Sequence, residues 1–212
     1  MNNHIVLLSS LHPKKLNRKF WKVRELEYLN SFNLLKLYNC FSIIDNTINN
    51  QNEIINNELY SAINNFEFPI AFNNNIYNSQ LYSNINDFGL VKMLRNFEKF
   101  IKPDVNYIFI NGRVNNFDNV LKNTIKTNHG NEDFFYRSSV SNKIFSDIFL
   151  INSFNYKRFI DFFENFSEKD SFDKYLEKNI YEYKVNVFFK NLNIIKYNHL
   201  NDDYLSVTIE NY

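Results

Sequence analysis

The sequence predicts an α/β fold: one domain over residues 1–212, with a mostly parallel central sheet flanked by helices and a mixed second half. Three observations predict it. Short apolar runs stop abruptly on polar residues, as in "HIVLLSS", "FSIIDN" and "VNYIFIN". Segments with helical spacing of apolar residues separate those runs. No linker or internal repeat divides the 212 residues, a length that suits one domain with a real core.

The elements follow in order. "HIVLLSS" is a continuous apolar run, the mark of a strand covered on both faces. After a loop with Pro13, "KFWKVRELEYLNSFNLLKLYN" sets Val23, Leu26, Leu29, Phe32 and Leu35 roughly on one side of a helix. "FSIIDN" is a second strand and ends on Asp45. An Asn-rich, partly helical stretch leads to "FEFPIAF", a third strand or extended segment in which Pro69 argues against a central position. "NDFGLVKMLRNFEKFIKPD" is the clearest helix. Asn86 or Asp87 caps it, Leu90, Leu94, Phe97 and Ile101 share one face, and Pro103 stops it. "VNYIFIN" is the fourth strand. Strands alternating with helices in this order imply parallel pairing with right-handed crossovers.

The second half is read as follows. "DFFYRSS" and "KIFSDIFLINS" are strands separated by little. "NYKRFIDFFENF" is a helix with Phe159, Phe162, Phe163 and Phe166 inward. "SFDKYLEKNIYEYKVNVFFKN" is a longer helix, with a stripe of Phe172, Leu176, Ile180, Tyr183 and Val187. "NIIKYNHL" is a final strand, and "YLSVTIENY" a further extended segment.

Composition narrows the class. An apolar fraction of 44% excludes a disordered chain. The chain holds 40 Asn and two Ala, the pattern of AT-rich coding. Its Asn runs are broken by apolar residues at structural spacing, so they read as ordinary polar surface. With a net charge of +1, no basic patch matches a nucleic-acid footprint. "HPKKLNRKFWKVR" is locally basic and reads equally as a solvated loop or an anion site. A single cysteine, Cys40, allows no disulfide framework and points to a reducing, cytoplasmic setting. No apolar run reaches the length of a membrane span, and the N-terminus lacks the basic start of a signal peptide.

Ligands of open α/β sheets bind beyond the carboxyl ends of the strands. Three such ends carry polar residues: Ser9 and Ser10 with the following His12 loop, Asp45, and Asn111-Gly112-Arg113. Gly112 permits a tight turn and close approach of a ligand to backbone. Arg113 offers a planar fork of donors suited to diphosphate. Turn chemistry alone also places Asp or Asn at strand ends. Asp147 interrupts the apolar run "KIFSDIFLI", so its carboxylate must face solvent or find partners. No Walker loop, dinucleotide glycine fingerprint or serine-nucleophile elbow occurs, and the four His show no metal-ligand spacing.

Three segments carry a family resemblance. They are "IVLLSSLHPKKL…VRELEYLNSFNLLKLYNCFSIIDNT", "DFGLVKMLRNFEKFIKPDVNYIFINGRVN" and "SSVSNKIFSDIFLINSFNYKRFIDFFENF". Together they resemble the small glycosyltransferase-like proteins of bacterial polysaccharide gene clusters and some large viruses, whose fold is the nucleotide-sugar-binding GT-A type, Rossmann-like in architecture. The resemblance implies a glycosyltransferase that moves a sugar from a nucleotide-sugar donor to a glycan or polysaccharide acceptor. Residues up to about 115 would form the nucleotide-sugar half, and residues from about 116 to 212 the acceptor half. Ser9, Ser10 and the His12 loop would contact the nucleotide, and Asp45 the base or ribose. Asn111, Gly112 and Arg113 occupy the turn where GT-A enzymes usually carry a metal-binding Asp-x-Asp. That departure implies either that Arg113 neutralises the leaving diphosphate without metal, or that transferase chemistry is lost. A divalent cation, manganese or magnesium, stays open because Asp118 lies a few residues on. Asp147 would bind the acceptor hydroxyl or act as general base. The alternatives are a catalytically inactive nucleotide- or sugar-binding relative, and a non-enzymatic assembly or scaffold protein.

Overall fold

A continuous apolar run can be strand only where both its faces are covered, and strand β1 (Asn2–Ser9) meets that condition: it is buried from Ile5 to Ser9. The computed structural model describes residues 2–12, 18–38, 41–64, 70–72, 85–111, 114–115, 117–126, 132–137, 144–167, 169–180, 183, 187–190, 193–197 and 207–211. Among these it gives backbone alone at residues 70–72, 85–88, 114–115, 117–120, 123, 136–137, 145–147, 187–190, 193–197 and 207–211.

Strand β1 pairs in parallel with β2 (Phe41–Asp45) on one side and β4 (Val105–Asn111) on the other. Strand β3 (Ile70–Phe72) adds in parallel to β2 and forms one edge, as the sequence argument from Pro69 expects. Strands β6 (Asp133–Arg137), β7 (Ile144–Asn152) and β8 (Val187–Lys190) complete a seven-stranded sheet of order β3-β2-β1-β4-β7-β6-β8. Strand β7 is antiparallel to both β4 and β6, which makes the second half mixed. A smaller antiparallel sheet joins β5 (Val114–Asn115), β9 (Asn193–Tyr197) and β10 (Val207–Asn211).

Helices cover both faces of the large sheet. On one face Ile5, Leu7, Ile43, Ile108 and Ile110 pack against α1 (Arg18–Leu35), α2 (Asn57–Asn64) and α4 (Phe117–Lys126). On the other, Val6, Leu8, Ile44, Tyr107 and Phe109 pack against α3 (Ile85–Phe97), α5 (Tyr156–Phe162) and α6 (Phe172–Asn179). Neighbouring residues of one strand thus serve opposite cores, as the period of two requires. The second core is aromatic. Phe163 stacks on Phe172 at 4.9 Å and meets Phe159 edge-on at 5.2 Å. Such pairs add about 0.5–1.5 kcal/mol beyond area burial.

The structure corrects the sequence reading in several places, among them α3 and α5, which end at Phe97 and Phe162, short of the expected Ile101 and Phe166. The long helix expected from residue 171 to 191 ends at Asn179, and Val187–Lys190 is strand β8, parallel to β6. Its Val and Phe residues suit a strand, and β6 would otherwise present an unpaired edge. Helix α4 forms where the sequence argument placed no element. Helix α3 begins at Ile85, one residue ahead of the expected cap. In α1 the buried side includes Arg24, Glu25, Tyr28, Phe32 and Leu35, whereas Leu26 is 48% exposed. Two charged residues thus join Leu29, Phe32 and Leu35 on the inward side, and of the expected stripe Leu26 is turned outward.

Candidate ligand-binding rim

The parallel pairing sets the site. Ser9 is in register with Asp45, Leu8 with Asn111, and Asp45 with Phe72, so four strands end along one rim. Strand β7 runs the other way and starts there.

Asp45 organises the rim from inside. Its carboxylate is fully buried. Oδ2 accepts from the Ser9 hydroxyl at 2.5 Å and the Leu11 amide at 2.9 Å. Oδ1 accepts from the Thr47 amide at 2.6 Å, the Thr47 hydroxyl at 2.8 Å and the Ile48 amide at 3.0 Å. A strand-terminal Asp satisfies local amides in this way, and here it also binds the loop after β1 to the loop after β2. Three successive amides of the first loop are all used within the protein: Ser10 N donates to the Tyr28 hydroxyl, Leu11 N to Asp45, and His12 N to Thr47 Oγ1.

A second buried carboxylate, Glu25, reaches the same loops from α1. It accepts from the amides of Ile55 at 2.8 Å and Asn56 at 2.5 Å, and lies 2.5 Å from Nε2 of His12. The His12 ring stacks on Trp21 with centroids 4.5 Å apart and planes 11° from parallel. Arg24 Nε donates to the Ser10 carbonyl at 2.7 Å. The Ser10 hydroxyl donates to Asn46 Oδ1 at 2.6 Å. Asn46 in turn needs Gly89 of α3: a Cβ at residue 89 would stand 2.8 Å from Asn46 Nδ2.

With this geometry in view, the chain can be compared with known proteins. No family model and no curated protein matches it. Among solved structures it is similar to a protein assigned as a glucose-1-phosphate thymidylyltransferase from Bacillus anthracis, at 9% identity over 92% of this chain and 89% of that one, with a TM-score of 0.52. It is also similar to the inositol-1-phosphate CTP transferase of T. maritima, at 13% identity over 89% of this chain and 84% of that one, TM-score 0.51. A third is the glycosyltransferase GlyE of Streptococcus pneumoniae, at 12% identity over 89% of this chain and 45% of that one, TM-score 0.48. The chain has the nucleotidyltransferase fold. That Rossmann-like arrangement, shared by GT-A enzymes, is the fold class the sequence predicts.

Within this fold the sequence-selected residues divide into two groups. Ser9, His12 and Asp45 are 2%, 6% and 0% exposed. Their polar atoms hold the loops, and the described partners of Asp45 all lie within the protein. Ser10 and Asn111 are half-buried on the same rim. Gly112 and Arg113 lie outside the described residues, as do the side chains of Asp147 and Asp118. The Asp147 backbone is described. It belongs to β7, where the partner of β6 jumps from Phe149 at Phe135 to Phe145 at Tyr136. Ser146, Asp147 and Ile148 therefore fall in an irregularity of the ladder near the rim. Among the described residues no group of three His, Cys, Asp or Glu side chains is placed to hold a metal ion, and no helix is long and apolar enough to cross a membrane.

Sequence reasoning missed Glu25, Trp21, Thr47, Asn46 and Gly89, and it met Arg24 only as part of the basic stretch "HPKKLNRKFWKVR". One signal could have found Glu25: a charged residue between the stripe positions Val23 and Leu26 of α1. A second polar cluster lies at the opposite end of the sheet. Asp133 opens β6, is fully buried, and accepts from the Asn152 amide at 2.7 Å, Asn155 Nδ2 at 3.2 Å and the Tyr183 hydroxyl at 2.5 Å. Burial pushes its carboxyl up to about 6, against the lowering effect of those donors.

Proposed function

We propose that the protein is a glycosyltransferase whose nucleotide-sugar donor lies across the rim formed by the ends of β1, β2 and β4. The observation that carries this reading is the use of the Ser10, Leu11 and His12 amides by Tyr28, Asp45 and Thr47. A triphosphate substrate needs a cradle of free backbone amides or cations. Among the described residues of the first loop these three amides are given to the protein, which favours a diphosphate donor over nucleotidyl transfer from a triphosphate.

In this reading residues up to about 115 hold the donor and the rest hold a glycan acceptor. Ser10, Asn111, Gly112 and Arg113 contact the donor, while Ser9, His12 and Asp45 keep the loops in place. The acceptor hydroxyl gives its proton to Asp147 and attacks the anomeric carbon. The bond from that carbon to the diphosphate oxygen breaks, and the Arg113 guanidinium offsets the charge that develops there.

A thermal-shift series tests this, using UDP-glucose, GDP-mannose, CTP and dTTP, each with and without manganese or magnesium. A donor sugar at a hundredfold excess over its Kd should raise the melting temperature by roughly 5–10 °C, and Arg113→Ala should abolish the rise. Preference for a triphosphate would overturn glycosyl transfer in favour of nucleotidyl transfer. Donor binding with no hydrolysis or transfer would mark an inactive binding relative. No response to any nucleotide would leave an assembly protein as the reading. The metal arms test the cation that the resemblance implies.

A further inference from the structure

We infer that Glu25 is a positioning residue for the rim: through His12 on one side and the Ile55 and Asn56 amides on the other, it makes the loops after β1 and β2 move as one unit. The inference rests on the rim being the nucleotide site.

The argument begins with its burial. Glu25 is 0% exposed in a helix whose apolar neighbour Leu26 faces outward. An inward carboxylate is retained only where donors surround it. Those donors come from separate segments. Ile55 N reaches Oε1 and Oε2 at 2.8 and 3.0 Å, and Asn56 N reaches Oε2 at 2.5 Å. Asn56 in turn accepts from Leu59 N at 2.8 Å, so the same link sets the start of α2. On the other side Oε1 meets His12 Nε2 at 2.5 Å. A carboxylate already taking two backbone N–H groups acts as acceptor, so His12 donates from Nε2. Trp21, one helical turn before Glu25, closes over the imidazole face. The ring is thereby fixed in orientation and tautomer, and it fixes Ser10 two residues earlier. Arg24 reinforces this by binding the Ser10 carbonyl. Among the described residues of the loop, Ser10 is half-buried while Leu11 and His12 are buried, so Ser10 is the one open to a ligand. Preorganisation of this kind raises affinity by removing the cost of ordering loops on binding.

The test uses the full chain with UDP-glucose and GDP-mannose as probes. Wild type, Glu25→Gln, His12→Gln and His12→Leu are compared by calorimetry well below each melting temperature, with imidazole nitrogen NMR of the unliganded protein. Wild type should carry the His12 proton on Nε2. Glu25→Gln keeps the shape but offers an N–H to the ring, so the proton should move to Nδ1 and donor affinity should fall about tenfold, within the ~10²-fold that a 1 Å misplacement can cost. His12→Gln, which retains an N–H for Glu25, should weaken binding less than His12→Leu. A wild-type proton on Nδ1, or donor binding by Glu25→Gln equal to wild type, overturns the inference. If that variant does not fold, equal binding by the two His12 variants overturns it. Failure of wild type to bind either donor overturns the reading of the rim itself, and this outcome is distinct from unequal effects among variants.

Discussion

Asp45 and Asp133 are both fully buried carboxylates at opposite ends of one sheet, and their surroundings differ in kind. Asp45 receives five hydrogen bonds, three from backbone amides of two adjoining loops. Asp133 receives one backbone amide, one side-chain amide and one phenol. Donors that belong to the backbone cannot rotate away, so Asp45 acts as a rigid joint for the rim. Those around Asp133 are fewer and mostly side chains, and they do not offset desolvation: its carboxyl stands near 6 rather than 3.8. The difference teaches that burial alone does not define a carboxylate's role; the number and stiffness of its donors do.

The largest expected effect tests the rigid joint. Asp45→Ala would leave the Leu11, Thr47 and Ile48 amides without their acceptor. At about 1–3 kcal/mol for each buried orphan, urea denaturation should show a loss of roughly 4–5 kcal/mol. A loss below about 1 kcal/mol would make Asp45 no more than an ordinary turn residue.

Asp133 should tie stability to pH. Because folding raises its pKa, the folded state holds the proton more tightly than the unfolded chain. The stability it contributes is complete below about 3.8 and lost as pH rises through about 6. A shift of about two units, from 3.8 to about 6, bounds this term at roughly 3 kcal/mol. Wild type should therefore gain stability over Asp133→Asn on going from pH 7 to pH 4. An identical pH profile for the two proteins would remove the contrast between the carboxylates.

Tyr183→Phe sharpens it further. Loss of the hydroxyl should cost about 1–2 kcal/mol. It should also move the Asp133 carboxyl above 6, since that hydrogen bond lowers it; carboxyl-carbon NMR reads the change. The smallest effect is Gly89→Ala. Its new methyl meets the far end of the Asn46 side chain, so stability should change by about 1 kcal/mol or less. Donor binding should nonetheless weaken, because Asn46 holds Ser10. Unchanged donor binding would separate Asn46 from the site.

The parts of this molecule legible in the sequence are those governed by neighbours along the chain. Strands β1, β2 and β4 were visible because both faces need apolar residues and their ends do not. Of the four phenylalanines that helical spacing turns inward, Phe159 is buried within α5 and Phe162 is half-buried, whereas Phe163 and Phe166 are buried beyond the end of the helix at Phe162. Strand β8 was misread because the same residues fit a helical stripe, and only the position of β6 decides between them. The rim was legible as an address: Ser9, Asp45 and Asn111 were chosen as strand ends and converge. Their roles were not, because the partners of Asp45 and Glu25 lie up to 36 residues away. No local pattern reports that His12 needs Glu25.

Strands β4 and β5 lie close in sequence but belong to different sheets. Asn111 belongs to the large sheet, and Val114 pairs with Lys196 of β9 in the small one, 82 positions further along (196 − 114). During synthesis the four parallel strands have all their parallel partners once residue 111 has emerged, whereas the partner of β5 is made only with β9. Closing so long a loop carries an entropic cost that short-range pairings avoid. Strand β5 is therefore among the last of the described strands to find its partner, and a polypeptide halted before residue 193 would have the four parallel strands of the rim without the small sheet.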